Sequence, residues 1–381
     1  VERSLKSKSI MKPLRIAVVG CGHICDQYAL HIQNYPDLLE IAGASDVEFT
    51  RAERFVEKYG GKAYADFDEV LADDSVDLML NLTIHHAHFD LNKRALEAGK
   101  HVYSEKPVAL THEQAQGLIE VAVKNNRRLA AAPSTFLGEG IQTSFKFLAE
   151  EKLGPLRMVY AEVNWGQIER WISNPAPYYT VGPLLDVGVY AITAMVYLLG
   201  PAKKVWGYST ILKDRRFDAK GNEFPVTAPD FTVGMIEFAS GVKARITTNY
   251  YIPTKGMNFL KGLQFHGDEG SFTVGCYHNL NPQCTWNPYN QQGIPIPLLR
   301  PRKISMDRAI GIADLAESLQ QNRPHLASAE QAAHVIEIME GLQKSSDTSS
   351  TIEIRSNPPP ASLMKWAQAA SIQIPNLPAS S

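Results

Sequence analysis

A short apolar run, Arg15 to Val19, leads directly into Gly20-Cys21-Gly22-His23-Ile24-Cys25 and then into a segment of helical character. This strand, glycine loop and helix start constrain the chain more than any other stretch. Glycines are required where the backbone turns sharply at a strand end and where it must approach a pyrophosphate, whose charge then lies at a helix N-terminus. Cys25 occupies the place of a third glycine and is small enough for close helix-to-strand packing. Asp46 follows 24 residues after Gly22, at the end of the next apolar run, where a carboxylate can accept hydrogen bonds from a ribose diol. Gly20, Gly22, His23, Ile24 and Asp46 are therefore the first candidate contacts of a bound dinucleotide. Asp46-Val47-Glu48 lacks the basic pair that would attract a 2'-phosphate, which places NAD ahead of NADP. Arg51 is the one nearby cation that could reach such a phosphate.

Apolar runs at 15–19, 41–45, 78–82, 101–103 and 129–132 alternate with amphipathic segments. That is the pattern of a parallel sheet flanked by helices. Residues 51–59 have helical spacing and stop at Gly60-Gly61, and Thr111-His112-Glu113-Gln114 reads as a capping box opening a helix to Lys124. Beyond about residue 135, a helix at 141–150 precedes β-rich segments at 158–165, 231–238 and 242–250. Ser240-Gly241 separates the last two as a hairpin turn. Further helices are expected at 184–199, 307–320 and 329–342.

At 381 residues the chain exceeds the roughly 250 to 300 that one core organises, so two domains are expected. The ranges read are a Rossmann domain at 12–135 and an α+β domain with a large, mostly antiparallel open sheet at 136–356. A Pro-rich tail at 357–381 would wrap a surface or a neighbouring subunit. The opening ten residues are polar, lack an apolar signal region, precede Met11 and are read as outside the fold.

With 38 Lys and Arg against 40 Asp and Glu, and no long run of one sign, nothing points to nucleic acid or a membrane surface. No apolar stretch approaches the ~20 residues of a membrane span. Cys21, Cys25, Cys276 and Cys284 lack zinc or redox spacing and read as reduced thiols in a cytoplasmic protein. Two of the three histidines His85, His86 and His88 alternate around a helix start with no carboxylate positioned to join them, so no metal site is expected.

Glu105-Lys106-Pro107 follows directly on the strand at 101–103. A lysine at the carboxyl end of a parallel strand projects toward the crevice where a dinucleotide lies. Asp186 and Tyr190 stand four apart on one helix, so both side chains can face one cleft. The glycine loop, Ala95 to Pro107 and Gly182 to Tyr190 together resemble the Gfo/Idh/MocA oxidoreductase family over most of residues 14–354. Tyr190 stands where many members carry a histidine. Thr83, His85 and His88 resemble the family's segment beside the nicotinamide, with Ile84 in place of a proline and His85 in place of an asparagine.

The resemblance implies hydride transfer between a nicotinamide and a hydroxyl or carbonyl carbon of a sugar or polyol. Lys106, Asp186 and Tyr190 would be catalytic, and Thr83, His85, His88, Glu105 and Lys106 would join the cofactor contacts. Trp171 and Tyr179, from an aromatic-rich stretch, would join Lys106, Asp186 and Tyr190 around the substrate. A homodimer or homotetramer built through the second domain's sheet is also implied. Two rival readings share the fold: an NAD-dependent glycosidase working by oxidation and elimination, and a regulator without turnover. Lys100, six residues before Lys106 and outside the motif, is expected to be silent in catalysis.

Overall fold

The computed structural model describes residues 12–252 and 261–374; the opening ten residues, read above as outside the fold, lie outside the described ones. The chain forms two compact units, and each gathers separate stretches of sequence.

The first unit holds six parallel strands: β1 (Leu14–Val19), β2 (Leu39–Ser45), β3 (Lys62–Ala63), β4 (Leu78–Asn81), β5 (His101–Ser104) and β6 (Leu129–Ala131). Helices α1 (Cys25–Ile32), α2 (Phe49–Tyr59), α3 (Phe67–Ala72) and α4 (His88–Glu97) alternate with them, and α5 (His112–Lys124) precedes β6. The strand order β3-β2-β1-β4-β5-β6 is the doubly wound arrangement, whose order reverses between β1 and β4. Ile16 to Val18, Leu78 to Leu80 and Val102 to Tyr103 are fully buried, as strands covered on both faces must be.

The second unit begins with α6 (Glu139–Ala149), β7 (Leu156–Asn164) and, after a π-helical turn at Leu184–Gly188, α7 (Val189–Leu199). Next come β8 (Ala202–Thr210) and a small hairpin, β9 (Arg215–Phe217) with β10 (Glu223–Pro225). They are followed by β11 (Phe231–Phe238), β12 (Lys243–Asn249), β13 (Lys261–Gly267), β14 (Gly270–Val274), β15 (Cys284–Pro288) and β16 (Ile294–Ile296). The chain then supplies α8 (Ile310–Gln320) to the first unit and returns with α9 (Ala329–Thr348), β17 (Ile352–Glu353) and α10 (Lys365–Ala369). The nine-stranded sheet runs β16-β15-β14-β13-β7-β12-β11-β8-β17, antiparallel except for the β7–β12 pair. One face is buried, with Val159, Ala161, Ile246, Phe265 and Phe272 inward, and the other carries Met158, Trp206, Tyr208 and Met235 at 41 to 53% exposure.

The continuous ranges 12–135 and 136–356 do not describe this interleaving. Ala309, Ile312, Leu315 and Ala316 complete the first unit's core and draw 308–327 into it, whereas 106–117 packs with the second unit. The tail also belongs to the second unit. There Tyr197 donates to the Ser362 carbonyl, Met364 N bonds Gln142 Oε1 at 2.8 Å, and Trp366 lies under the Arg300 guanidinium. Lys100 is a structural residue, since its buried ammonium donates to the Asp73 carbonyl at 2.7 Å. Among the described residues no helix is long and apolar enough to cross a membrane.

Candidate active site

In the first unit, the turn after β1 is fixed by Gly20, which has φ +95° and lies so close to β4 that a Cβ would come within 2.8 Å of Leu82 C and Thr83 N. Only glycine satisfies both conditions. Gly22 differs: a Cβ there meets no described atom within 4 Å, and Gly22 and His23 are exposed at the start of α1, which no side chain caps. Asp46 closes the turn, accepting from Cys21 N at 2.7 Å and from Glu48 N at 2.9 Å. Arg51 is held beside it, with Nη2 2.6 Å from Glu48 and Nη1 4.0 Å from Asp46.

A polar relay ties the ends of β4 and β5 together. Thr83 Oγ1 donates to Asn81 Oδ1 (2.6 Å), Asn81 to Asn92 (2.8 Å) and Asn92 to Ser104 (3.0 Å). His88 is buried with Nε2 3.1 Å from the Thr83 carbonyl oxygen, so it fixes that carbonyl, whereas His85 is only half-buried, against the His86 ring. Glu105 accepts from the Tyr28 hydroxyl at 2.7 Å and lies 3.9 Å from Arg308. Its carboxylate thus anchors α1, and burial followed by the Glu105 charge pushes the Tyr28 phenol well above its ordinary value. No group of three or more His, Cys, Asp or Glu among the described residues is placed to hold a metal ion.

In the second unit, Lys106 Nζ donates to Asp186 twice, to the backbone oxygen at 2.6 Å and to Oδ1 at 2.8 Å. The π-helical turn at Leu184–Gly188 carries Asp186, and such turns recur at functional sites. Gly182 enters it with φ +80°, at a point where a Cβ would press to 2.5 Å on the Pro229 carbonyl oxygen. Tyr250, one residue past β12, donates to Asp186 Oδ2 at 2.7 Å. Burial pushes the Asp186 carboxyl up. The Lys106 charge and hydrogen bond, the Tyr250 hydrogen bond and the His278 charge outweigh it, and the group titrates below its ordinary value. Lys106 and Asp186 remain 17% and 19% exposed, so the pair is accessible from outside. Tyr190 lies one turn on, with Lys106 Nζ 5.6 Å from its ring centre and the His278 ring at 4.2 Å.

The two aromatic candidates separate. Trp171 is 59% exposed, 6.1 Å from the Trp165 ring, and open to a ligand. Tyr179 is fully buried, donates to Glu169 and packs against Tyr250 and Phe224, so its place is inside the wall. Sequence reasoning missed the reason. Arg216 of β9 is 2% exposed and bridges Glu169 (3.0 Å) and Asp230 (2.5 Å), with its guanidinium over the Tyr179 ring. Tyr250 and His278 were missed as well. Tyr250 ends a strand that the alternation did reveal, and its place there was the available signal; His278 carries none.

Residues 14–132 match the oxidoreductase family with an NAD-binding Rossmann fold, and residues 141–273 match the GFO/IDH/MocA C-terminal domain. The chain belongs to the Gfo/Idh/MocA family. It is 25% identical to the D-glucoside 3-dehydrogenase of Escherichia coli (strain K12), over 92% of this chain and 100% of that one. It is 28% identical to the dTDP-3,4-didehydro-2,6-dideoxy-alpha-D-glucose 3-reductase of Actinomadura kijaniata, over 62% of this chain and 71% of the other. An NAD binding oxidoreductase from Klebsiella pneumoniae shares the fold with a TM-score of 0.79 at 19% identity, covering 91% of this chain and 100% of that one. This Gfo/Idh/MocA protein is an enzyme, an NAD(P)-dependent oxidoreductase acting on CH-OH groups.

Proposed function

We propose that the enzyme transfers a hydride between NAD and a hydroxyl- or carbonyl-bearing carbon of a sugar or polyol, with Lys106, Asp186 and Tyr190 managing the proton. The observation that carries this reading is the ammonium of Lys106, fixed by Asp186 at 2.8 Å and set beside the phenol of Tyr190. The names of the relatives, a glucoside dehydrogenase and a sugar-nucleotide reductase, support the substrate class.

The glycine loop suits a dinucleotide, because Gly22 leaves open the space that a side chain would fill. Gly20, Gly22, His23 and Ile24 would hold its pyrophosphate, Asp46 its ribose diol, and Thr83 and His85 would lie toward the nicotinamide. Bound there, NAD supplies the hydride acceptor or donor. Arg51, engaged by Glu48 and Asp46, is poorly placed to welcome a 2'-phosphate, which favours NAD. Lys106 would steady negative charge building on the substrate oxygen, and the Tyr190 hydroxyl would exchange the proton. Asp186 keeps Lys106 charged and aimed. Trp171 offers an aromatic face to the C–H face of a ring.

Free sugars, polyols and glycosides, each offered with NAD and NADP and followed in the near ultraviolet, should show net NADH formation for at least one sugar or polyol. Turnover at least tenfold better with NADP would overturn the cofactor preference, and glycoside cleavage without net NADH would replace the dehydrogenase with an oxidation and elimination cycle. The open sheet face bearing Trp206, Tyr208, Met158 and Met235 is proposed to pair with a second copy of the chain. Light scattering that finds monomer alone at micromolar concentration removes that pairing.

A further inference from the structure

A carboxylate turns about a bond whose torsion is broad, so a partner on one oxygen alone leaves its rotation loosely set. Lys106 holds Asp186 by Oδ1 and by the backbone oxygen. The rotation is settled from the other side, where the Tyr250 hydroxyl donates to Oδ2 at 2.7 Å. Tyr250 is 1% exposed, and burial, followed by the Asp186 charge and the hydrogen bond to it, pushes its phenol well above the ordinary value. The phenol therefore stays protonated, a standing donor wherever the carboxylate is charged.

What fixes this donor lies outside the motif that carries Asp186. Just before it, Asn249 Oδ1 accepts from Tyr251 N at 3.0 Å and from Ile252 N at 2.8 Å, which sets the turn of the chain leaving β12. Tyr250 N donates to the Asp230 carbonyl oxygen at 3.1 Å. The buried carboxylate of Asp230 accepts in turn from Leu212 N at 2.7 Å and from Arg216 Nη2 at 2.5 Å. Arg216 Nη1 reaches Glu169 at 3.0 Å, Glu169 accepts from the Tyr179 hydroxyl, and the Tyr179 ring stands edge-on to that of Tyr250 at 5.3 Å. The contacts close on themselves, gripping Tyr250 by its backbone and by its ring.

We propose that Tyr250 is a positioning residue for hydride transfer: its hydroxyl fixes the rotation of the Asp186 carboxylate, and the carboxylate so held aims the Lys106 ammonium at the substrate oxygen. This rests on the dehydrogenase reading above. The ionisable groups facing Asp186 are Lys106, Tyr250, His278 and the half-buried Tyr178. Lys106 supplies charge and Tyr250 the bond to Oδ2. Without that bond the burial of Asp186 is less opposed and its carboxyl rises. An Asp186 that takes up a proton releases Lys106, so the loss falls on the acid side.

Tyr250→Phe keeps the ring and removes the donor. With the full-length enzyme, NAD and the sugar or polyol found above, kcat at neutral pH should fall by about 10-fold or more while NADH affinity hardly changes. Wild type should stay active down to the acid limit at which melts still show it folded, and Tyr250→Phe, still folded, should lose activity about one pH unit higher. Wild-type kcat in the variant, or a loss uniform across pH, overturns the positioning role. The same displacement should be read without substrate from the carbon-13 resonance of the Asp186 carboxyl in aspartate-labelled protein, identified by its absence from Asp186→Asn. If Tyr250→Phe does not fold, 3-fluorotyrosine in place of Tyr250, a stronger donor of nearly the same shape, should move that midpoint down. An unmoved midpoint overturns the hold of Tyr250 on Asp186 with or without turnover, whereas absence of any turnover by wild type overturns the dehydrogenase reading.

Discussion

In the first unit the atoms offered to a ligand are largely backbone, a loop held open by Gly20 and Gly22 and braced by Asp46 on Cys21 N. In the second the proposed groups are side chains at positions 106, 186 and 190, backed by the buried Tyr250 and His278. A backbone site is a property of one turn, so its cost and its function are local. A side-chain site depends on four or more segments folding into register. The first should therefore govern binding and local stability, the second turnover.

The largest effect that would test this division comes from the second unit. Tyr190→Phe and Lys106→Ala should each lower kcat by about 10²- to 10⁴-fold, with NADH affinity from fluorescence titration little changed. A loss confined to NADH binding would dissolve the distinction between the units.

Acid stability comes next, since each unit holds a histidine whose ring nitrogen accepts from a backbone N–H: His101, where Nδ1 accepts from Arg128 N, and His334, where Nε2 accepts from Ala202 N. Burial lowers both to about 4. Below the ordinary value of about 6.5 the unfolded chain binds a proton that the folded one refuses, so stability falls from there to about pH 4 and then levels, by up to about 3 kcal/mol per histidine. His101→Gln and His334→Gln should each flatten part of this loss in melts across that range, and an unchanged slope in either would show that its imidazole is not held neutral. The Asp186 pair has the opposite range: its contribution is present above the ordinary carboxylate value and is lost only as pH falls through its lowered one.

The smallest effect, and the sharpest contrast within one loop, lies in the glycines. Gly20→Ala meets backbone and a positive φ and should cost about 1–3 kcal/mol in stability. Gly22→Ala has room, so its melting temperature should stay near wild type while NADH binding weakens. Equal behaviour in the two would mean that the loop is only a turn.

How much of this was legible in the sequence follows the same division. The Rossmann strands and the glycine loop were readable because their signals are short-range: apolar runs, Gly20 to Cys25, and Asp46 at a strand end. Lys106 was singled out by its place at a strand end and Asp186 and Tyr190 by their spacing of four, but their proposed catalytic roles were implied only through a resemblance. For the Asp186 partner Tyr250 only its place at a strand end was legible, and for the Tyr190 neighbour His278 nothing was, since their relation to the motif exists only once β12 and the segment after β14 are in place. Tyr179 misled for a similar reason, as nothing beside it in sequence announces the buried Arg216 that claims its surroundings.

Because α8 is furnished by residues 310–320, the first unit cannot finish its core until that segment has left the ribosome. A nascent chain ending anywhere before it leaves bare the apolar surface that Ile312, Leu315 and Ala316 cover. The same arrangement makes this fold a poor donor for recombination. A single genetic crossover near residue 135 would part the dinucleotide-binding half from a piece of its own interior, so the two units are expected to have been inherited together.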